Sequence, residues 1–172
     1  MNVTARQELM RTIVETLGVV VEEARLDFGE DGLAVRVVDP SHVAMIKMDV
    51  DSAAFDTWEV DETKLGLEMR KLKDIVGLAA AGDMVELAYN DESGQATINI
   101  GRIDLNLRPL DNTTLNPPNV PSLELPCGVT ISGSDLAQAL RAARQVGDLV
   151  NLSLTDSKLS LIHISEPTRL HV

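Results

Sequence analysis

Asp39 and His42 stand three residues apart in Asp39-Pro-Ser-His42, a spacing in which a carboxylate could orient an imidazole as a general base. Such a pair needs something to activate, and no Ser or Cys motif of hydrolase type stands at a defined distance from it. The single cysteine, Cys127, lies between Pro126 and Gly128, and the other two histidines, His163 and His171, belong to the C-terminal segment. One cysteine and scattered histidines make no metal-ligand cluster. Asp49, Asp51 and Asp56 lack the glycine and terminal glutamate of a calcium loop, and Asp49 and Asp51 read more simply as the solvent side of a strand. There is no Gly-rich phosphate loop. The chemistry expected is therefore binding and not catalysis, with no cofactor and no metal.

What remains is charge. Of the fifteen Lys and Arg residues, seven gather in or beside three short segments: Arg6 and Arg11; Arg70, Lys71 and Lys73; Arg141 and Arg144. Charged positions on helices are ordinarily just solvated faces, and Glu15 and Asp74 interrupt these ones. The net charge of −12 argues by itself against nucleic acid as a partner.

Length and composition bound the frame. At ~100–200 residues per domain, 172 residues hold one complete domain and part of another. A hydrophobic share of 44% against 24% charged residues describes a globular chain. Phe28, Phe55, Trp58 and Tyr89 are the whole aromatic set, so the core must be aliphatic. A lone cysteine excludes an internal disulfide and fits a reducing compartment. No apolar run approaches the ~18 residues of a membrane span, and no signal peptide opens the chain, so a cytoplasmic location is expected.

Apolar spacing predicts helices over Arg6–Gly18, Met69–Ala81 and Ser134–Val146, starting 63 and 65 residues apart. Such a period points to duplication of one supersecondary unit. Each of the last two helices leads into Gly-Asp and an alternating strand, at Gly82 and at Gly147. Strands are expected at Glu23–Phe28, Gly32–Val38 and Val43–Val50, then at Met84–Asn90, Gln95–Ile100 and Ile103–Pro109. Short strands at Leu65–Glu68 and Val129–Ser132 feed the second and third helices. Only Met1–Thr4 remains for a strand before the first. The unit is strand, helix, three strands, giving an α+β fold of repeated βαβββ units with antiparallel sheets and helices on one face.

Domain organisation follows. Residues 1–110 hold two units as one domain, and 111–126, with four prolines, form an extended connector. A third unit begins at Cys127 and is expected to break off near Lys158. The stretch Leu159-Ser-Leu-Ile-His-Ile-Ser-Glu-Pro-Thr-Arg169 resembles the translation of a transposon-based sequencing adapter, which sets 159–172 apart as non-native.

Gly32-Leu-Ala-Val-Arg-Val-Val-Asp-Pro-Ser-His-Val-Ala-Met-Ile-Lys-Met-Asp-Val50, closed by Phe55, resembles the signature of the proliferating cell nuclear antigen family, the archaeal/eukaryotic type of DNA polymerase sliding clamp. The resemblance runs from about Ala5 to Thr155. It implies a homotrimeric ring around double-stranded DNA, closed by pairing an edge strand within Gln95–Arg108 with another subunit. It also implies helices on the inner surface, where Arg6, Arg11, Arg70, Lys71, Lys73, Arg141 and Arg144 would meet phosphates regardless of sequence. An acidic exterior and a positive interior would then reconcile these cations with the overall charge. Client proteins, among them the replicative polymerase and the clamp loader, would insert a short hydrophobic plug between the hairpin residues Val38, His42, Val43 and Met45 and the connector residues Leu115, Val120 and Leu123. The expected role is a processivity factor and docking platform, nucleoid-associated in a prokaryote. The alternative is a diverged interaction module in a heteromeric ring.

Overall fold

The computed structural model describes residues 1–126, 128–147, 149–155 and 158–163. Two compact units divide the chain, Met1–Val120 and Pro121–Val172.

The first unit holds both repeats. One runs through β1 (Asn2–Arg6), α1 (Gln7–Gly18), β2 (Glu23–Phe28), β3 (Gly32–Val38) and β4 (Met45–Asp51). A 3₁₀ turn (Ser52–Ala54) and a short β5 (Thr57–Glu59) follow. The other comprises β6 (Thr63–Glu68), α2 (Met69–Val76), β7 (Met84–Asn90), β8 (Gln95–Ile100) and β9 (Ile103–Leu107). The βαβββ pattern is as expected. The strands assemble into two antiparallel sheets, ordered β5-β1-β7-β8-β9 and β4-β3-β2-β6. Each repeat thus lends its first strand to the other's sheet: Val3 stands opposite Leu87, and Leu26 opposite Leu65.

Alternation decides which side chains go inward. Ala24, Leu26 and Phe28 of β2, Leu33, Val35 and Val37 of β3, and Val85 and Leu87 of β7 are buried. They meet Met10, Ile13, Val14 and Leu17 of α1 and Met69, Leu72, Ile75 and Val76 of α2 in one core. Three of the four aromatics cluster at one spot. The Trp58 ring lies 4.5 Å from Phe55 and 5.8 Å from Phe28, and its indole N–H donates to the Gly29 carbonyl at 3.1 Å.

The strand before α1 is fuller than Met1–Thr4 allowed, reaching Arg6 through a register of five residues with β7. Helix α2 stops at Val76, not Ala81. The Gly77 amide closes the last turn on the Lys73 carbonyl at 2.9 Å, and the chain then turns to bury Ala79. Leu110 donates to the Gly66 carbonyl at 2.9 Å and the Asn112 side chain donates to the Lys64 carbonyl, so the connector's beginning lies along β6. The compact unit accordingly runs on to Val120.

In the second unit α3 (Gly133–Arg144) precedes an antiparallel pair, β10 (Val150–Thr155) and β11 (Lys158–His163). The strand expected at Val129–Ser132 is irregular. Its counterparts β1 and β6 are strands because another repeat's sheet receives them, and no such sheet exists among the described residues of this unit. Pairing of Lys158–His163 with β10 requires only alternation in an extended chain, whatever the segment's origin. Cys127, Asp148, His171 and the rest of 164–172 lie outside the described residues.

Gly32 is the tightest backbone position. Its φ is +147°, and an added Cβ would stand 2.1 Å from the Val50 carbonyl oxygen. Gly32→Ala is therefore expected to cost about 2–4 kcal/mol in urea unfolding, combining backbone strain with overlap. Gly94→Ala, with φ +63° and nothing within 4 Å, should cost only about 1–2 kcal/mol. Equal losses would show that the Val50 carbonyl does not limit the site.

Candidate functional site

Helices α1 and α2 lie side by side and antiparallel: Arg11 and Val14 share a cleft with Gly77 and Leu78, while Gly18 and Val19 share another with Met69 and Arg70. Burial of one face of each helix turns Arg11 and Glu15 of α1, and Arg70 and Lys73 of α2, toward solvent. Three of the expected cations converge here. Arg11 Nε lies 3.0 Å and Lys73 Nζ 3.7 Å from the same oxygen, Glu15 Oε1, and Arg70 lines the adjoining cleft with Glu15 and Lys73.

The others are placed differently. At 3.6 residues per turn Lys71 sits on the opposite flank of α2 from Lys73, and it lines a small cleft with Leu107 and Arg108. Arg6 is exposed as the last residue of β1, where the chain enters α1. Arg141 and Arg144 are exposed on α3, in the second unit. Glu15 as a common acceptor is the element that sequence reasoning did not assign. The Arg11–Glu15 spacing of i,i+4 hinted at it, but Lys73 arrives from another helix.

A second surface surrounds the β3–β4 turn. The Asp39 carboxylate accepts from the backbone amides of Val43 and Ala44 at 2.7 Å and of Ser41 at 3.0 Å. The Ala44 amide above all, with those of Val43 and Ser41, holds the Asp39 carboxyl below its ordinary range. Asp39 is thus the anchor of the turn, which leaves the Asp-His base reading without support. Its grip accommodates His42 at φ +57°, uncommon for a side-chain-bearing residue, and leaves Val43 87% exposed.

Below the turn, the outer face of β2 and β3 and the connector enclose a cleft of about 160 Å³. Its walls include Arg25, Arg36 and Val38 on the sheet side and Leu115, Pro117 and Pro118 on the connector side. Val38 and Leu115, both expected, are brought together. His42, Val43 and Met45 lie on the hairpin outside the lining, although Met45 stands opposite Val38 in the ladder. Val120 is exposed and does not line the cleft, and Leu123 belongs to the other unit. Arg25 is held by Asp27 through two contacts of 2.7 and 2.9 Å, whereas Arg36 has no ion-pair partner among the described residues.

Gly66 makes this cleft possible. It faces outward on β6, and a Cβ there would come within 2.9 Å of a Leu115 methyl, 3.0 Å of Asn112 Oδ1 and 3.1 Å of the Leu110 carbonyl. A glycine in a strand often marks such a close approach, and that was the available signal.

The model of the proliferating cell nuclear antigen N-terminal domain matches residues 4–104. The DNA polymerase sliding clamp of Methanococcoides burtonii is 38% identical over 141 residues, which is 81% of this chain and 58% of that protein. The sliding clamp of Methanosarcina barkeri is 35% identical over 150 residues, 87% of this chain and 61% of its own length. This chain therefore spans about three fifths of those relatives. Among solved structures, A. fulgidus PCNA, bound to the C-terminal region of FEN-1, superposes with a TM-score of 0.84 at 28% identity, covering 96% of this chain and 72% of that one. PCNA from Thermococcus kodakaraensis, at 20% identity and a TM-score of 0.75 over 93% of this chain and 66% of its own, speaks for the fold alone. The antiparallel, twice-repeated domain and the matches across it have one reading: the chain belongs to the proliferating cell nuclear antigen family of DNA polymerase sliding clamps.

Proposed function

We propose that this chain is a sliding-clamp subunit. In full-length form it encircles duplex DNA as a homotrimer, accepts a clamp loader, and tethers the replicative polymerase and other clients. The observation that carries the reading is the antiparallel helix pair, which gathers Arg11, Arg70 and Lys73 on one exposed surface of a family scaffold. Cations placed this way contact phosphates without reading bases, as sliding requires. A tether acts by raising the polymerase's effective concentration at the primer end, so no catalytic group is needed and the protein works without catalysis. The edge strand β9 leaves a row of backbone groups for pairing with a neighbouring subunit. Work on chromosomal DNA would place the protein with the nucleoid in a prokaryotic cytoplasm.

The cleft between Val38 and Leu115 is the proposed client groove, with the Asp39-anchored turn as its rim. A slot that offers Val38, Leu115, Pro117 and Pro118 beside an extended connector suits a short peptide with a hydrophobic plug. The relative from A. fulgidus, seen with the C-terminal region of FEN-1, supports a docking role.

Arg70→Glu combined with Lys73→Glu should weaken binding to a fluorescent duplex, read by anisotropy, and flatten the slope of log K against log salt by about 2. Lys71→Glu, on the other flank, should weaken it less. Unchanged duplex binding in the double variant would remove the helix pair from the DNA surface. Val38→Asp and Leu115→Asp should each weaken binding of a synthetic peptide from the C-terminal region of FEN-1 by about tenfold or more, with unfolding midpoints preserved. Equal affinity for the variants and the unaltered chain would dismiss the cleft.

The turn itself is pH-sensitive. Because its three amide bonds hold the Asp39 pKa below the ordinary 3.8, their stabilisation is complete above that value and is lost as pH falls through the lowered one. In NMR titrations the Val43 and Ala44 amides should shift with a midpoint below 3.8, and Asp39→Asn should abolish the transition. A midpoint at or above 3.8 would contradict the anchored turn.

A further inference from the structure

We propose that Glu15 is a built-in competitor for the DNA phosphates, a positioning residue that sets how strongly the helix pair grips the duplex. The inference rests on the DNA-backbone reading and refines it. One carboxylate oxygen, Glu15 Oε1, receives Arg11 Nε at 3.0 Å from the same helix and Lys73 Nζ at 3.7 Å from the neighbouring one. A phosphate oxygen is the same kind of acceptor for both cations. The pairs are solvent-exposed, with the side chains of Arg11 at 59%, Lys73 at 56% and Glu15 at 39%, so burial does not lock them. Exposed ion pairs of this kind are weak and exchangeable.

Two clefts, of about 350 and 270 Å³, both include Glu15 and Lys73 in their walls and give a phosphate room to approach. Asp74 lines the first and Glu22 the second, and neither reaches a cation within 4 Å among the described residues. Glu15 is thus the acid in direct competition. When a phosphate enters, Arg11 and Lys73 exchange Glu15 for it; when it leaves, Glu15 takes them back. A duplex sliding past therefore meets cations that release it readily, and the carboxylate also keeps the two helices' cations converged on one point while they wait.

The test is anisotropy with a short fluorescent duplex, comparing Glu15→Gln with Glu62→Gln, which makes the same charge change in the exposed β5–β6 loop. Glu15→Gln should bind severalfold tighter at low salt. Removing the one carboxylate charge that offsets these cations steepens the salt slope by about 0.9, so its affinity should fall about three- to fourfold further than that of the unaltered chain between 50 and 200 mM salt. Glu62→Gln should alter neither by comparable amounts. If both variants behave alike while Arg70→Glu with Lys73→Glu still weakens binding, competition by Glu15 is refuted and the DNA surface stands. If that double variant also binds unchanged, the DNA reading falls and takes this inference with it.

Discussion

The exchange of first strands between the two repeats is the constraint on which the rest of the first unit depends. A single βαβββ unit has a three-stranded meander and a helix, with β1 or β6 having no place in its own sheet. Each finds its partners in the other repeat, β1 beside β7 and β6 beside β2. This reciprocity closes two sheets around one core and sets α1 and α2 antiparallel against each other. Residues far apart in sequence, Arg11 and Lys73, become neighbours only through it. Long-range pairings of this kind also slow folding, because loop closure precedes any reward.

Period was legible in the sequence wherever one face of an element is buried. Strands β2, β3, β7 and β8 have the bounds that alternation gives, since a one-residue slip would turn Leu26 or Ile98 to solvent. Partnership was not legible. Nothing in Val3 or Leu65 says that its ladder lies in the other repeat, and nothing in Thr57–Glu59 marks three residues as a strand until β1 stands beside them. Val129–Ser132 shows the converse, for the same alternation without a receiving sheet leaves the chain irregular. The cations of the helix pair could be named from sequence, but not that Lys71 and Lys73 face apart, nor that Lys73 shares an acceptor with Arg11.

The cleft has a similar history. Val38 and Leu115 could be nominated separately, yet the distance between sheet and connector is set by a residue with no side chain. With any Cβ at position 66, Leu115, Asn112 and the Leu110 carbonyl would have to move, and the wall they form would lift from β6. Proline at 117 and 118 then stiffens the segment that continues the wall. A connector that reads as a linker by composition is, over its first part, a structural layer of the sheet it leaves.

Net charge was the least informative number for the same reason. Exposed charges more than a Debye length apart, about 8–10 Å at ordinary salt, scarcely feel one another. A total of −12 spread over strands, turns and connector therefore says little about what a phosphate meets at the helix pair. What it meets is decided within a few ångströms, where Arg11, Arg70 and Lys73 stand around Glu15. Of the twenty-seven acidic residues in the chain, Glu15 stands 3.0 Å from the Arg11 guanidinium and 3.7 Å from the Lys73 ammonium, well inside a Debye length, and so it weighs more on that surface than the many that set the sum.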